Sequence, residues 1–285
     1  MKDFLIKNSL VDCKVLHQHN SSYSSLKKKY NTSPSGICGY VACAVATYLN
    51  DMIPSTIMDI NEFIDICINL NNDKVILSYV EEVMSFIQNN RINNITKNYE
   101  KYKPSTGWAN NWLQGWVSNY EISDYMKSLK KSNIYFYRFN QIRDIKTIQS
   151  DADRGDPIGF FELDRLKEEY DMNLYEKNKD FNFIQSPDGS LLSLNEWIVI
   201  HNNNSKPKPK IFIIDCVGHY TAGANITIKV NNEFQNKLIL FDSLWSQDDF
   251  LILELEDQFS IENFFYKPRY ESISKEIYNN VFTNI

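Results

Sequence analysis

The sequence predicts an α+β fold, with helices in its first part and a sheet in its later part, from three observations. Apolar residues recur at helical spacing between Cys38 and Ile87, and β-branched and aromatic residues cluster from Ile211 to Asp242. Polar stretches rich in Asn, Lys and Pro punctuate the chain between them. At 285 residues and 43% hydrophobic content, the chain can bury a substantial core, and one domain is expected over 1–285. A helical lobe over about 30–130 and a β-rich lobe over about 131–285 follow from the order of the elements.

The first helix is expected to open at Cys38, because Cys38, Val41, Ala42, Val45 and Leu49 share one face and Ser33-Pro34-Ser35 supplies cap and start residues. A second helix near Ser55 carries Ile57, Ile60, Phe63, Ile64 and Cys67. A third follows Asn72-Asp73 with Ile76, Tyr79, Val80, Val83 and Ile87 on one side. From Asn89 to Ser105 the chain turns polar and reads as an exposed connection. Trp108, Trp112 and Trp116 then fall four residues apart, a stripe that suits a core first and a partner-binding surface second.

Glu121 to Lys130 is expected as a short helix and Ile134 to Phe139 as a strand. Ile158 to Leu163 is a candidate strand, Asp164 to Asp180 a charged surface segment, and Ser186-Pro187-Asp188-Gly189 a turn. After the loop Ser205 to Lys210, three strands are expected at Ile211 to Val217, His219 to Val230 and Lys237 to Asp242. Asn231-Asn232, or a slightly longer loop, joins the last two as a hairpin.

Composition removes several function classes. A net charge of −6 argues against a nucleic-acid partner, which needs clustered Lys and Arg. Lys27-Lys28-Lys29 reads as a solvated loop. With no apolar run near 18 residues and no signal-like start, neither a membrane partner nor secretion is expected; the expected compartment is the cytoplasm or the nucleus. Five cysteines, Cys13, Cys38, Cys43, Cys67 and Cys216, include no CxxC pair and suit free thiols. Phosphate-loop, dinucleotide and HExxH motifs are missing. Cys13, His17 and His19 have a conceivable metal spacing, but two histidines on a short strand suit structure better, so neither metal nor cofactor is expected.

What remains is nucleophilic chemistry. A catalytic thiolate gains from a helix N-terminus, whose amides and dipole favour negative charge, and Cys38 stands there between Gly36 and Gly39. Cys43, farther along the same helix, reads as packing. A thiol also needs an imidazole to take its proton, and His219, between Gly218 and Tyr220 at a strand start, is the best placed of the four histidines. Asp242 ends the partner strand of the hairpin and so returns to His219 to orient the ring; Asp215 is a weaker competitor and Asn225 a remote one.

Cys38-Gly39-Tyr40-Val41-Ala42 opening a helix, Gly218-His219-Tyr220 leading a strand and Phe241-Asp242-Ser243 ending the next together resemble the papain-like cysteine peptidase superfamily. The His-aromatic and Asp-Ser pairs are most similar to those of intracellular deubiquitinases and proteases of ubiquitin-like proteins. The resemblance implies a helical subdomain carrying Cys38, packed on an antiparallel β-sheet carrying His219 and Asp242. It also implies a cleft in which Gly39, Tyr40, Gly218 and Tyr220 face a substrate tail. The implied activity is hydrolysis of a peptide or isopeptide bond through a thioacyl-enzyme intermediate, at the C-terminal tail of ubiquitin or a ubiquitin-like protein.

The chain departs from that pattern in two respects: the disulfides and pro-segment of the secreted papain pattern are not expected, which suits the intracellular branches, and the oxyanion donor is out of place. The oxyanion Gln a few residues before the nucleophile is absent, since Asn31-Thr32-Ser33-Pro34-Ser35-Gly36-Ile37 precedes Cys38. Gln18 serves if residues 19–37 contain an insertion, and Asn31 is the fallback. Two other readings stand beside the hydrolase: a transglutaminase-like acyl transferase using the same Cys, His and Asp, and a non-catalytic interaction protein.

Overall fold

The computed structural model describes residues 10–32, 36–53, 57–96, 117–129, 133–138, 149–150, 153–154, 183–188, 191–193, 210–215 and 219–243. The Trp stripe, the expected strand at Ile158 to Leu163, the charged stretch from Asp164 to Asp180, Ser33-Pro34-Ser35, Cys216 and Gly218 lie outside them.

Two helices begin with side chains that accept the free N–H groups of the first turn. Asp59 caps α3 (Ile60–Leu70) in a capping box with Glu62, and Ser118 caps α5 (Asn119–Ser128) in one with Glu121. The expected start of α3 near Ser55 is thus too early, because Met58–Asp59 is spent on a short strand, β2, and Asp59 on the cap. The next helix, α4 (Asp73–Thr96), runs well into the segment expected as a connection from Asn89. Arg91 explains the extension: Nε and Nη2 donate to the two carboxylate oxygens of Glu121 at 2.7 and 2.8 Å, with both side chains buried. A two-pronged pair of this kind needs Arg91 held rigidly, and the helix supplies that. Lys27, Lys28 and Lys29 also end in a helix rather than a loop, as the last turn of α1 (Ser24–Lys29), where cations suit the carbonyl end.

At the centre lies α2 (Cys38–Met52). Every residue from Gly39 to Leu49 is buried, so the one-sided stripe read from the sequence understates it. A helix apolar on all sides belongs inside, and Ala42, Ala44 and Ala46 let neighbouring backbones come close. It packs on the sheet, mainly β6 (Lys210–Asp215) and β7 (Tyr220–Val230), and on α4.

The sheet runs in the order β1 (Leu10–Lys14), β8 (Glu233–Asp242), β7, β6, β3 (Ile134–Arg138), β4 (Phe183–Gln185) and β5 (Leu191–Ser193). β2 pairs beside β7 at Met58↔Ile228, beyond the end of β6. The antiparallel sheet expected from the resemblance is corrected to a mixed one. β1 with β8, β3 with β6 and β2 with β7 are parallel pairs, and each joins elements separated by long connections that leave room for a crossover. Strands from the first part of the chain, β1 and β2, therefore belong to the same sheet as those from the last part.

β7 and β8 form the hairpin that the sequence predicts, through Asn231 and Asn232. Both have positive φ, 50° and 68°, the backbone of a two-residue turn whose twist matches the strands. Because the turn is this short, β8 starts at Glu233 rather than Lys237. The described part of the expected Ser186 turn lies between β4 and β5, where Ser186 Oγ donates to Asp188 at 2.6 Å.

Candidate functional site

Cys38 is the first residue of α2, half-buried, and the preceding Ile37 offers no side chain to cap the helix. The N–H groups of the first turn and the positive end of the helix dipole therefore sit beside the thiol. His219 immediately precedes β7, and Asp242 is the last residue of β8.

The hairpin register brings them together. Ala222 pairs with Phe241, so Asp242, one step on, stands across from Thr221. His219 is two residues from Thr221 and shares its face, making a diagonal neighbour of Asp242. Nε2 of His219 lies 2.8 Å from Oδ1 of Asp242, with His219 6% and Asp242 1% exposed. Asp242 takes Nε2 and leaves Nδ1 free, and the Cys38 thiol is close enough to be among the groups that raise the pKa of the same ring. Asp215 pairs at the backbone with Tyr220, in the neighbouring strand, and it is Asp242 that meets the ring.

Burial of His219 favours the neutral ring, but the hydrogen bonds and charges of Asp242 and Cys38 outweigh it and raise the pKa from 6.5 to about 10. The ring is thereby kept protonated next to Cys38 at neutral pH. Cys43 is the contrast on the same helix: burial, and then the neighbouring Cys38, push its thiol pKa up, leaving it inert.

Of the two oxyanion candidates, Gln18 reaches this corner and Asn31 does not join it. β1 runs parallel to β8 with Lys14 opposite Asp242, and the chain continues until the Gln18 N–H donates to the Ser243 carbonyl at 2.8 Å. Gln18 is 4% exposed. Its backbone carbonyl accepts from Lys27 Nζ at 2.8 Å, and Ser243 Oγ donates to its Oε1 at 3.4 Å. Asn31 is exposed, with φ 49°, just past the end of α1, where its left-handed backbone turns the chain.

Of the four cleft candidates, Tyr40 and Gly39 are turned into the packing. Tyr40 is fully buried, and its hydroxyl accepts from Gln88 Nε2 at 2.8 Å. Two residues along a helix is roughly 200° of rotation, so Tyr40 points to the core where Cys38 points away from it. Gly39 is buried as well: a Cβ there would lie 3.0 Å from Val117 Cβ and 3.2 Å from Tyr220 Cδ2. Its small size serves the packing of α2 against those two side chains. Tyr220 is half-buried, and its hydroxyl donates to Asn119 Oδ1 at 2.6 Å, tying the start of β7 to the start of α5.

Sequence reasoning missed this Val117–Asn119 wall and the buried Arg91–Glu121 pair behind it. The capping signature Ser118 to Glu121 was the signal available for the helix start. His17 and His19 have rings 5.4 Å apart, and His17 Nδ1 accepts the His19 N–H at 3.2 Å. Among the described residues no group of three or more His, Cys, Asp or Glu is arranged to hold a metal, and no helix is long and apolar enough to cross a membrane.

Comparison with known proteins finds no matching family model, no similar curated protein and no matching solved structure.

Proposed function

We propose that this chain is a cysteine hydrolase in which Cys38 is the nucleophile, His219 the proton carrier and Asp242 the residue that orients the ring. The observation that carries the reading is the 2.8 Å bond between the buried His219 and Asp242, on a ring whose pKa the Cys38 thiol at the start of α2 also helps to raise. A thiol at a helix start, an imidazole and a buried carboxylate in that order are what thioester chemistry requires.

In the proposed reaction the Cys38 thiolate attacks the carbonyl carbon of a peptide or isopeptide bond. Negative charge gathers on the carbonyl oxygen, where the N–H groups at the start of α2 and the Gln18 carboxamide receive it. His219 gives its proton to the leaving amine, and a thioester on Cys38 remains. Water, losing its proton to His219, then attacks the thioester and frees the acid and the thiolate. Asp242 stays ionised and holds the ring in the tautomer and direction that both proton transfers need.

The finer architecture proposed is papain-like, supported by a central helix that carries the nucleophile and a sheet whose β7 and β8 carry its partners. The substrate proposed is the C-terminal tail of ubiquitin or a ubiquitin-like protein, a choice that rests on the Cys38-Gly39, His219-Tyr220 and Asp242-Ser243 pairs. A panel of ubiquitin and ubiquitin-like proteins with C-terminal thiol-reactive warheads tests both parts. An adduct formed by the native chain and lost in Cys38→Ala is expected. Reaction with small acyl probes but with no panel member overturns the substrate class and leaves the thioester chemistry to a general hydrolase or acyl transferase.

A further inference from the structure

Building on the hydrolase reading above, we propose that Ser243 is a positioning residue that aims the Gln18 carboxamide at the carbonyl oxygen of the substrate. A carboxamide has two ends of nearly equal shape and opposite chemistry, and only the Nε2 end can donate to an oxyanion. Something must therefore decide which end faces the reaction.

The surroundings of Gln18 supply that decision. Its backbone is held on both sides, with its N–H on the Ser243 carbonyl at 2.8 Å and its carbonyl on Lys27 Nζ at 2.8 Å. With the backbone fixed, the side chain retains its own torsions, and the Ser243 hydroxyl engages them by donating to Oε1 at 3.4 Å. Oxygen is thus turned to Ser243 and nitrogen away from it. Gln18 is 4% and Ser243 3% exposed, so bulk water has little access to replace that donor.

Ser243 also follows Asp242 directly in the chain. One short segment, Asp242-Ser243, therefore orients both the imidazole and the oxyanion donor, and a shift of either residue moves the other. On the amide side, His19 Nε2 lies 3.4 Å from Gln18 Nε2; His19 is largely exposed and leaves the second amide hydrogen free for the substrate.

Two reagents separate the roles. p-Nitrophenyl acetate acylates a thiolate: the Cys38 Sγ to acetyl carbon bond forms, p-nitrophenolate leaves with the electron pair, and water later hydrolyses the thioester. That route passes through an oxyanion. Iodoacetamide alkylates the same sulfur by displacing iodide from a saturated carbon, with no oxyanion.

For Ser243→Ala, acylation is expected to fall about 10-fold while alkylation of Cys38 stays within about 2-fold of the native chain. Gln18→Ala should lower acylation about 100-fold, and the double variant no further than Gln18→Ala alone. Ser243→Thr, which keeps the hydroxyl, should restore acylation. Native acylation in Ser243→Ala, independent effects in the double variant, or an equal fall of acylation and alkylation each overturn the positioning role. If native Cys38 is alkylated selectively but p-nitrophenyl acetate does not acylate it, the role of Gln18 falls and that of Ser243 with it. Unselective alkylation of the native chain removes the hydrolase reading itself, which is a different result from normal acylation in Ser243→Ala.

Discussion

His219 Nε2 and Asp242 Oδ1 lie 2.8 Å apart although 23 residues separate them, because a two-residue turn folds β8 back along β7 from Val230 to Ala222. That closeness depends on the turn length. Asp242→Asn keeps the shape and removes the charge, so the ring loses the partner that holds its tautomer. Acylation of Cys38 is expected to fall by about 10²–10⁴-fold, measured by burst kinetics with an activated ester.

The same substitution should move the pH profile. Asp242 is among the groups that raise the His219 pKa to about 10 against the pull of burial, so its neutralisation lowers that pKa. The alkaline limb of Cys38 alkylation, where the His219 ring loses its proton, is expected to shift to lower pH in Asp242→Asn. An unchanged limb would show that Asp242 does not set the charge on the ring.

Thiol selectivity checks the nucleophile directly. Cys43 and Cys67 are buried, and burial pushes the Cys43 thiol up, whereas Cys38 is half-buried beside a protonated ring. Peptide mapping after brief iodoacetamide treatment should find Cys38 modified at least about 10-fold faster than either, and His219→Ala should erase the difference. Equal labelling in the native chain would remove Cys38 from the chemistry.

His219 also links stability to pH. Its folded-state pKa lies above the unfolded value of 6.5, so the folded state holds the proton more tightly. The resulting stabilisation is fully present below the unfolded pKa and is lost as pH rises through the folded one, near 10. Urea unfolding of the native chain and of His219→Gln at several pH values should show their difference in stability shrinking from neutral to alkaline pH. A difference that grows with pH would reverse the sign of the linkage.

The buried pair behind the site gives a stability prediction of its own. Arg91 and Glu121 meet through two short bonds in a region that solvent barely reaches. Glu121→Ala leaves a buried guanidinium without its carboxylate and removes the reciprocal half of the α5 cap, for a loss of about 3–5 kcal/mol. Chemical denaturation measures it. Arg91→Met together with Glu121→Leu, which removes both charges, should lose less than Glu121→Ala.

Local patterns made part of this molecule legible. The helix opening at Cys38 follows from apolar spacing, and the closing hairpin from two β-rich runs around Asn231-Asn232. Both are short-range signals, and the meeting of His219 with Asp242 needs nothing more. Gln18 was legible only as a residue type, since its place depends on β1 pairing with β8 across most of the chain. A register between such distant segments is chosen by the packed whole and leaves little trace in neighbouring residues. Gly39 and Tyr40 were misread for a different reason. Adjacency to Cys38 in sequence suggested a shared cleft, but the helical turn carries Tyr40 into the core and Gly39 against Val117 and Tyr220.

The bond between Gln18 and Ser243 spans 225 residues, from near the first strand of the sheet to the end of the last. A chain growing on the ribosome emerges from its N-terminus, so Cys38 and its helix are exposed to the cell long before Asp242 and Ser243 are made. Contacts of such separation also form late, because a long loop must close before they stabilise anything. Nascent chains and products truncated before β8 should therefore carry an unactivated thiol, and reactivity should appear only once synthesis has passed Ser243.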